Sequence, residues 1–212
     1  MLQIIRRYFR YICFALRVFL YEKPRGLDFH LRDKSLLIES KGKYHGYSIT
    51  PAGHLKRIFS YLNVTEYDSF LDVGCGKGFV LTKAAALPYQ RVAGIDLLSH
   101  LTQIAEKNLS ILKLKNRIQV FTGDAAAFEY YGDYNHFFFF NPFDAEIMKP
   151  VLKKIIASHS NHDTKNAPNK LTLIYHNPAC HNTILETGCF QLVHELYDPL
   201  KDYKTYIYLS SF

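Results

Sequence analysis

Residues 70–78, Phe-Leu-Asp-Val-Gly-Cys-Gly-Lys-Gly, set the tightest limit on what this chain can fold into. A short apolar run ends in three alternate glycines and is followed at once by Phe79–Ala86, a stretch of helical length and period. Glycine admits positive φ and brings backbone close to a neighbour, so a strand turning into a helix at Gly74, Gly76 and Gly78 is either a ligand-binding turn or an ordinary tight connection. A dinucleotide site would space its glycines G-x-G-x-x-G, whereas here they fall as G-x-G-x-G and Phe79 stands in the third fingerprint position. Asp72 adds to the contrast. A pyrophosphate gains nothing from a carboxylate two residues before the first glycine, while a ligand with an amino group can be held by it.

The remaining sequence repeats the alternation. Apolar runs at Ser69–Cys75, Arg91–Leu97, Ile118–Gly123, His136–Asn141 and Lys170–His176 read as buried parallel strands. Between them lie helical segments at Phe79–Ala86, at Ser99–Lys113 with Leu101, Ile104, Ala105, Leu109 and Leu112 inward, and around Ile147–Ala157. Thr50-Pro51 is expected to start a further helix, Thr50 as N-cap and Pro51 as first residue, with Leu55, Ile58, Phe59 and Leu62 on its inner side. Phe190–Tyr197 and Tyr203–Leu209 are joined by five residues, too few for a crossover helix, so they must pair as an antiparallel hairpin. Ser158–Lys170 reads as a surface loop. The expected fold is α/β, a doubly wound, mostly parallel seven-stranded sheet with a reversed C-terminal strand.

Two further acids stand where that fold places ligands. Asp96 follows Asp72 by 24 residues at the end of the second strand, where a carboxylate can accept both ribose hydroxyls. The third strand ends in Gly123-Asp124-Ala125, beside the base-binding edge of the crevice. One such acid is often a helix cap, but three at successive strand ends are hard to explain that way.

On these residues the chain, over roughly 50–212, resembles the class I S-adenosylmethionine-dependent methyltransferases, with Asp72 to Gly78 matching the family's first motif. The resemblance implies that Gly74, Cys75, Gly76 and Gly78 line the methionine part of S-adenosylmethionine and that Asp72 sits near its amino group. It implies further that Asp96, with Leu97, takes the ribose hydroxyls, and that Asp124, between Gly123 and Ala125, takes the adenine amino group. Within the family the chain looks most like stand-alone bacterial enzymes of unassigned substrate, with a Phe/Tyr-rich fourth strand ending Asn141-Pro142-Phe143 and a fifth ending Asn177-Pro178. Asn141-Pro142-Phe143 is also similar to the Asn-Pro-Pro-Tyr/Phe motif of nitrogen methyltransferases, but lacks its second proline. Asn141 is therefore a candidate for both cofactor and acceptor contact, with helix capping as the competing role. An oxygen acceptor would need a general base, for which His176 at the mouth of the fifth strand is the candidate. Tyr44, His45 and Tyr47 precede the Thr50 helix as a lid or as ordinary loop packing.

Charge locates the rest. Residues 1–43 carry ten Lys/Arg against four acids, and the remaining 169 carry sixteen against fifteen, so the core has no basic excess with which to track nucleic acid. This divides the chain into a basic, aromatic N-terminal extension, 1–46, and a methyltransferase-like domain, 47–212. Arg10 and Arg17 break the apolar N-terminus too early for a bilayer span. An amphipathic helix over 2–21 fits instead, with Leu2, Ile5, Phe9, Ile12, Leu16 and Phe19 along one side. That side would pack on the domain or a second subunit, or lie on an anionic membrane. Cys13, Cys75, Cys180 and Cys189 form neither a CxxC pair nor a zinc pattern, which points to a cytoplasmic setting. The expected function is methyl transfer to an unidentified acceptor, nitrogen ahead of oxygen. A nicotinamide-dependent oxidoreductase and a non-catalytic protein docking through its N-terminus are the alternatives.

Overall fold

The computed structural model describes residues 12, 15–31, 46–159 and 170–212. Most of the expected N-terminal helix, Tyr44, His45 and the loop 160–169 lie outside these residues. A π-helical segment Arg17–Glu22 running into the α-turn Lys23–Arg25 (together α1) is followed by α2, Ala52–Tyr61. Strands and helices then alternate: β1 Ser69–Val73, α3 Phe79–Ala84, β2 Arg91–Asp96, α4 Ser99–Ile111, β3 Ile118–Thr122, β4 His136–Phe140, α5 Ala145–His159 and β5 Thr172–His176. The short α6, His181–Leu185, precedes the hairpin of β6, Phe190–Asp198, and β7, Tyr203–Ser210.

The seven strands order as β3-β2-β1-β4-β5-β7-β6, with β7 antiparallel to both β5 and β6 and all other pairs parallel. The order reverses between β1 and β4, and ligands of open α/β sheets bind at the carboxyl edge of such a switch point. Successive side chains of a strand face opposite ways, which explains the aromatic run of β4. Phe137 and Phe139 enter one core with Leu71, Val73 and Val151, while Phe138 enters the other with Phe70, Leu55 and Ile58. A sheet covered on both faces needs continuous apolar strands, and β1 and β5 are buried at every position.

Local details correct the expected boundaries. The N-cap of α2 is Pro51, and Thr50 makes no capping bond; its buried Oγ1 lacks a partner among the described residues. α5 begins at Ala145, two residues before the expected Ile147, because Asp144 Oδ1 accepts the amides of Glu146 at 3.0 Å and Ile147 at 3.3 Å. Ser158 and His159, expected in a loop, complete that helix.

Two histidines are buried in the sheet. His136 opens β4 with Nδ1 3.0 Å from the Tyr89 hydroxyl, and burial outweighs the attraction of Asp68 to bring its pKa down to about 4. His176 closes β5, and burial, helped by His54 and Lys201, brings it down to about 3. Each group is neutral in the folded state and protonates more readily when unfolded, so stability is full above about pH 6.5 and is lost as pH falls towards the folded values. At pH 5 the loss is about 2 kcal/mol per histidine. The melting temperature is expected to fall between pH 7 and 5 and to fall less in His136→Asn; equal slopes in the two proteins would contradict this origin.

Candidate active site

The glycine-rich turn is fixed by its neighbour β2. The amides of Gly74 and Cys75 both donate to the Ile95 carbonyl, at 2.8 and 3.0 Å, and the Gly76 amide donates to Asp96 Oδ2 at 2.8 Å. The Gly78 amide closes back on the Cys75 carbonyl at 3.0 Å. Gly74, Gly76 and Gly78 all have positive φ, 84°, 51° and 80°. With these amides committed inside the protein, the turn is not a nest of N–H groups for a pyrophosphate. Its glycines serve steric approach instead. A Cβ on Gly74 would meet Pro142 Cβ at 2.7 Å, and one on Gly76 would meet the Tyr47 ring at 2.5 Å.

Asp72 lies in the body of β1, paired in register with Gly94 and Phe138, and is buried. Burial, reinforced by Asp96, raises its pKa well above the usual carboxylate range. Among the described residues no hydrogen bond or ion pair compensates it. A buried carboxyl of this kind is costly until a donor or cation reaches it. Asp96 ends β2 and also accepts the Leu98 amide at 3.0 Å; burial still raises its pKa against these two bonds. Leu97 beside it is exposed. Asp124 lies beyond the end of β3, exposed, with Oδ1 accepting the Ala126 amide at 2.8 Å. Gly123 donates to the Asp96 carbonyl at 2.9 Å, tying the third strand's turn to the second's. Ala125 packs partly against the core.

The ends of β4 and β5 form the other half of the crevice. Asn141 and Asn177, each preceding a proline, have φ of 39° and 53°. Residues before proline are pushed towards extended conformations, so both asparagines are held in a strained left-handed state that asparagine tolerates best. The Tyr175 hydroxyl donates to Asn141 Oδ1 at 3.2 Å. Asn141 is not the cap of α5, since Asp144 fills that role. Phe143 is buried in the core, 3% exposed, so its ring does not cover an acceptor.

His176 is not at the mouth of β5. It is fully buried, with Nδ1 2.8 Å from Thr205 Oγ1, while His54 Nε2 approaches the same hydroxyl at 2.7 Å. Its Nε2 faces Asp198 at 3.8 Å, and Phe140 and Tyr203 pack against its ring. The one hydroxyl can donate to one ring and accept from the other, and among the described residues Nε2 of His176 has no hydrogen-bond partner. The cluster joins α2 to the C-terminal hairpin; it does not offer a base to the crevice.

A second set of residues at the glycine turn, Lys77, Asp28 and Asn108, carried no sequence signal. Lys77 Nζ bonds both oxygens of Asp28, at 2.8 and 2.9 Å, and the Leu31 carbonyl at 2.9 Å. Asn108 on α4 ties the two sides together, its Nδ2 donating to the carbonyls of Asp28 and Lys77. Tyr47 lies over Gly76 and donates to the Phe29 carbonyl at 2.7 Å. The described end of the N-terminal extension is thus part of the site wall.

Comparison with known proteins agrees with this geometry. Residues 70–162 match the family described as the methyltransferase domain. Fold, turn and domain match together make the chain similar to the class I S-adenosylmethionine-dependent methyltransferases. Over 88 residues it is 33% identical to a rRNA adenine N-6-methyltransferase of Clostridium perfringens, covering 42% of this chain and 34% of that one. The chain therefore spans about a third of the length of the curated relatives it matches. Among solved structures it is similar to an RNA methyltransferase from Salinibacter ruber in complex with S-adenosyl-L-homocysteine, with TM-score 0.57 and 14% identity over 76% of this chain and 93% of that one. A SAM-dependent methyltransferase from Aquifex aeolicus gives 0.56 and 15% over 74% and 89%.

Two outcomes are expected. Asp96→Ala should weaken S-adenosylhomocysteine binding by about 1–3 kcal/mol, the range for hydrogen bonds to a charged group; unchanged affinity in a folded variant would remove Asp96 from the site. Asp28→Asn strands the buried Lys77 cation, whereas Lys77→Met leaves a carboxylate that solvent can reach. Urea unfolding should therefore show the larger loss for Asp28→Asn, roughly 1–3 kcal/mol, below the range for breaking a fully buried pair.

Proposed function

We propose that this protein is an enzyme that transfers the methyl group of S-adenosylmethionine to a nitrogen acceptor. The carrying observation is the convergence of the cofactor turn and the strained Asn141-Pro142 end of β4, with Pro142 seated directly on Gly74. The residues present fit this cofactor: Asp72 offers a buried carboxyl, short of a partner among the described residues, to the methionine amino group. Gly74, Cys75, Gly76 and Gly78 would line the methionine part, Asp96 and Leu97 the ribose, and Gly123, Asp124 and Ala125 the adenine. S-adenosylmethionine, when bound, supplies a sulfonium-activated methyl group that requires mainly in-line alignment of the nucleophile. Asn141 would provide that alignment by accepting a hydrogen bond from the acceptor amine, held in place by the Tyr175 hydroxyl.

Nitrogen is favoured over oxygen because His176, the base an oxygen nucleophile would use, is buried and held neutral. The adenine substrate named for the Clostridium relative supports nitrogen as the acceptor atom, but rRNA is not carried over to a chain that spans so little of that protein and whose core is nearly charge-balanced. No described helix is long and apolar enough to cross a membrane. The free thiols of Cys75, Cys180 and Cys189 suit a cytoplasmic enzyme. The N-terminal extension is read as a docking element, for a membrane surface or a second subunit.

Methyl-labelled S-adenosylmethionine incubated with the full-length protein and fractionated cell extract is expected to yield label that hydrolysis releases as N-methyl products. Asn141→Ala should lower this transfer on the order of tenfold or more, the scale of a misplaced nucleophile, with little change in S-adenosylhomocysteine affinity. Label recovered only in O-methyl products, or full transfer by the variant, would defeat the nitrogen assignment.

A further inference from the structure

Among the described residues, helix α1 is rooted on the domain by one side. Val18 and Glu22 are buried, and the Glu22 carboxylate accepts the amides of Phe29 and His30, each at 3.1 Å, and pairs with the His30 ring. The Arg17 guanidinium lies over the Phe79 ring, and the chain beyond α1 sends Leu27 and Phe29 into the core. These contacts fix which way the described residues of the helix face. Ile12, Leu16, Phe19 and Leu20 are turned outward, 56%, 50%, 58% and 68% exposed, with Tyr21 beside them. Of the expected apolar stripe, Ile12, Leu16 and Phe19 are thus presented to the outside, and among the described residues a different side of the helix packs on the domain.

Cations frame this stripe. Lys23 Nζ lies 4.7 Å from the Phe19 ring centroid and Arg25 Cζ lies 4.4 Å from that of Tyr21. Residues 1–25 hold six Lys/Arg and a single acid, Glu22, which is turned inward. A surface that is apolar along its centre and cationic at its edges matches an anionic lipid interface, where the side chains enter the headgroup region and the cations meet phosphates. A two-fold pairing of the same stripe between copies would bring together two cation-edged surfaces with no acid to pair them, since Glu22 is turned inward, which opposes self-association. Nucleic acid would satisfy the cations and leave the apolar side chains in water.

We infer that α1, with the described helical residues just before it, forms an interfacial surface that docks the protein on anionic membranes through Ile12, Leu16, Phe19 and Leu20. The inference is independent of the methyl acceptor. It also gives the Glu22–His30 and Asp28–Lys77 contacts a mechanical meaning, since they connect the docked helix to the cofactor turn through a few residues.

Full-length protein should sediment with vesicles of phosphatidylcholine and phosphatidylglycerol about tenfold or more better than with phosphatidylcholine alone, and 0.5 M salt, at about that concentration screening charges within a few ångströms, should weaken the binding. The triple variant Leu16→Ser, Phe19→Ser, Leu20→Ser should lose about tenfold or more of the vesicle binding. It should retain the wild-type melting temperature and remain the same species in sedimentation velocity. Failure of the wild type to bind anionic vesicles, or equal binding by the triple variant, would overturn the inference. So would a triple variant that unfolds, showing an internal packing role, or one that converts a dimer to a monomer, showing that a second copy covers the stripe.

Discussion

The Ile95 carbonyl, accepting the amides of Gly74 and Cys75 together, is the contact on which the site depends. It locks the turn after β1 to the end of β2, and Asp96 extends the lock by taking the Gly76 amide. Parallel pairing of β1 between β2 and β4 sets the height of this turn, and the aromatic run of β4 holds the pairing by filling both cores. Once the turn is fixed, its glycines leave room for Pro142 on one side and Tyr47 on the other. The same geometry leaves Asp72 buried beneath the crevice. A carboxyl so placed destabilises the free protein and favours whatever donor binds above it.

The N-terminal extension joins this arrangement through Lys77. Its buried ammonium needs a counter-charge, and Asp28 supplies it from a segment that Glu22 and Asn108 hold in place. Extension and core therefore share the wall of one site, although their charge and composition divide them sharply in the sequence.

Much of this was legible beforehand where period and composition act locally. Apolar runs with polar ends marked the five parallel strands, and the short Asp198–Asp202 connection forced the antiparallel hairpin. The glycine spacing, with Asp72 and Asp96, located the carboxyl edge where a ligand would sit. What escaped was decided by distant parts of the chain. Thr50 has the residue type of a cap, but the backbone at Pro51 starts the helix; Asn141 has it too, but Asp144 is three residues nearer the helix. His176 ends a strand and so looks open, yet Thr205 and Asp198 from the hairpin and His54 from α2 enclose it. The orientation of α1 turned on Glu22, an acid whose partners lie in a loop after the helix. Helical period alone finds an apolar stripe and does not say which way it faces.

The glycine spacing and the internally committed amides suit this carboxyl edge to S-adenosylmethionine and not to a dinucleotide. Calorimetric titration of the full-length protein with S-adenosylhomocysteine and, separately, with NAD tests it most directly. Saturable one-to-one binding of S-adenosylhomocysteine and only dilution heats with NAD are expected. Saturable binding of NAD without binding of S-adenosylhomocysteine would contradict this.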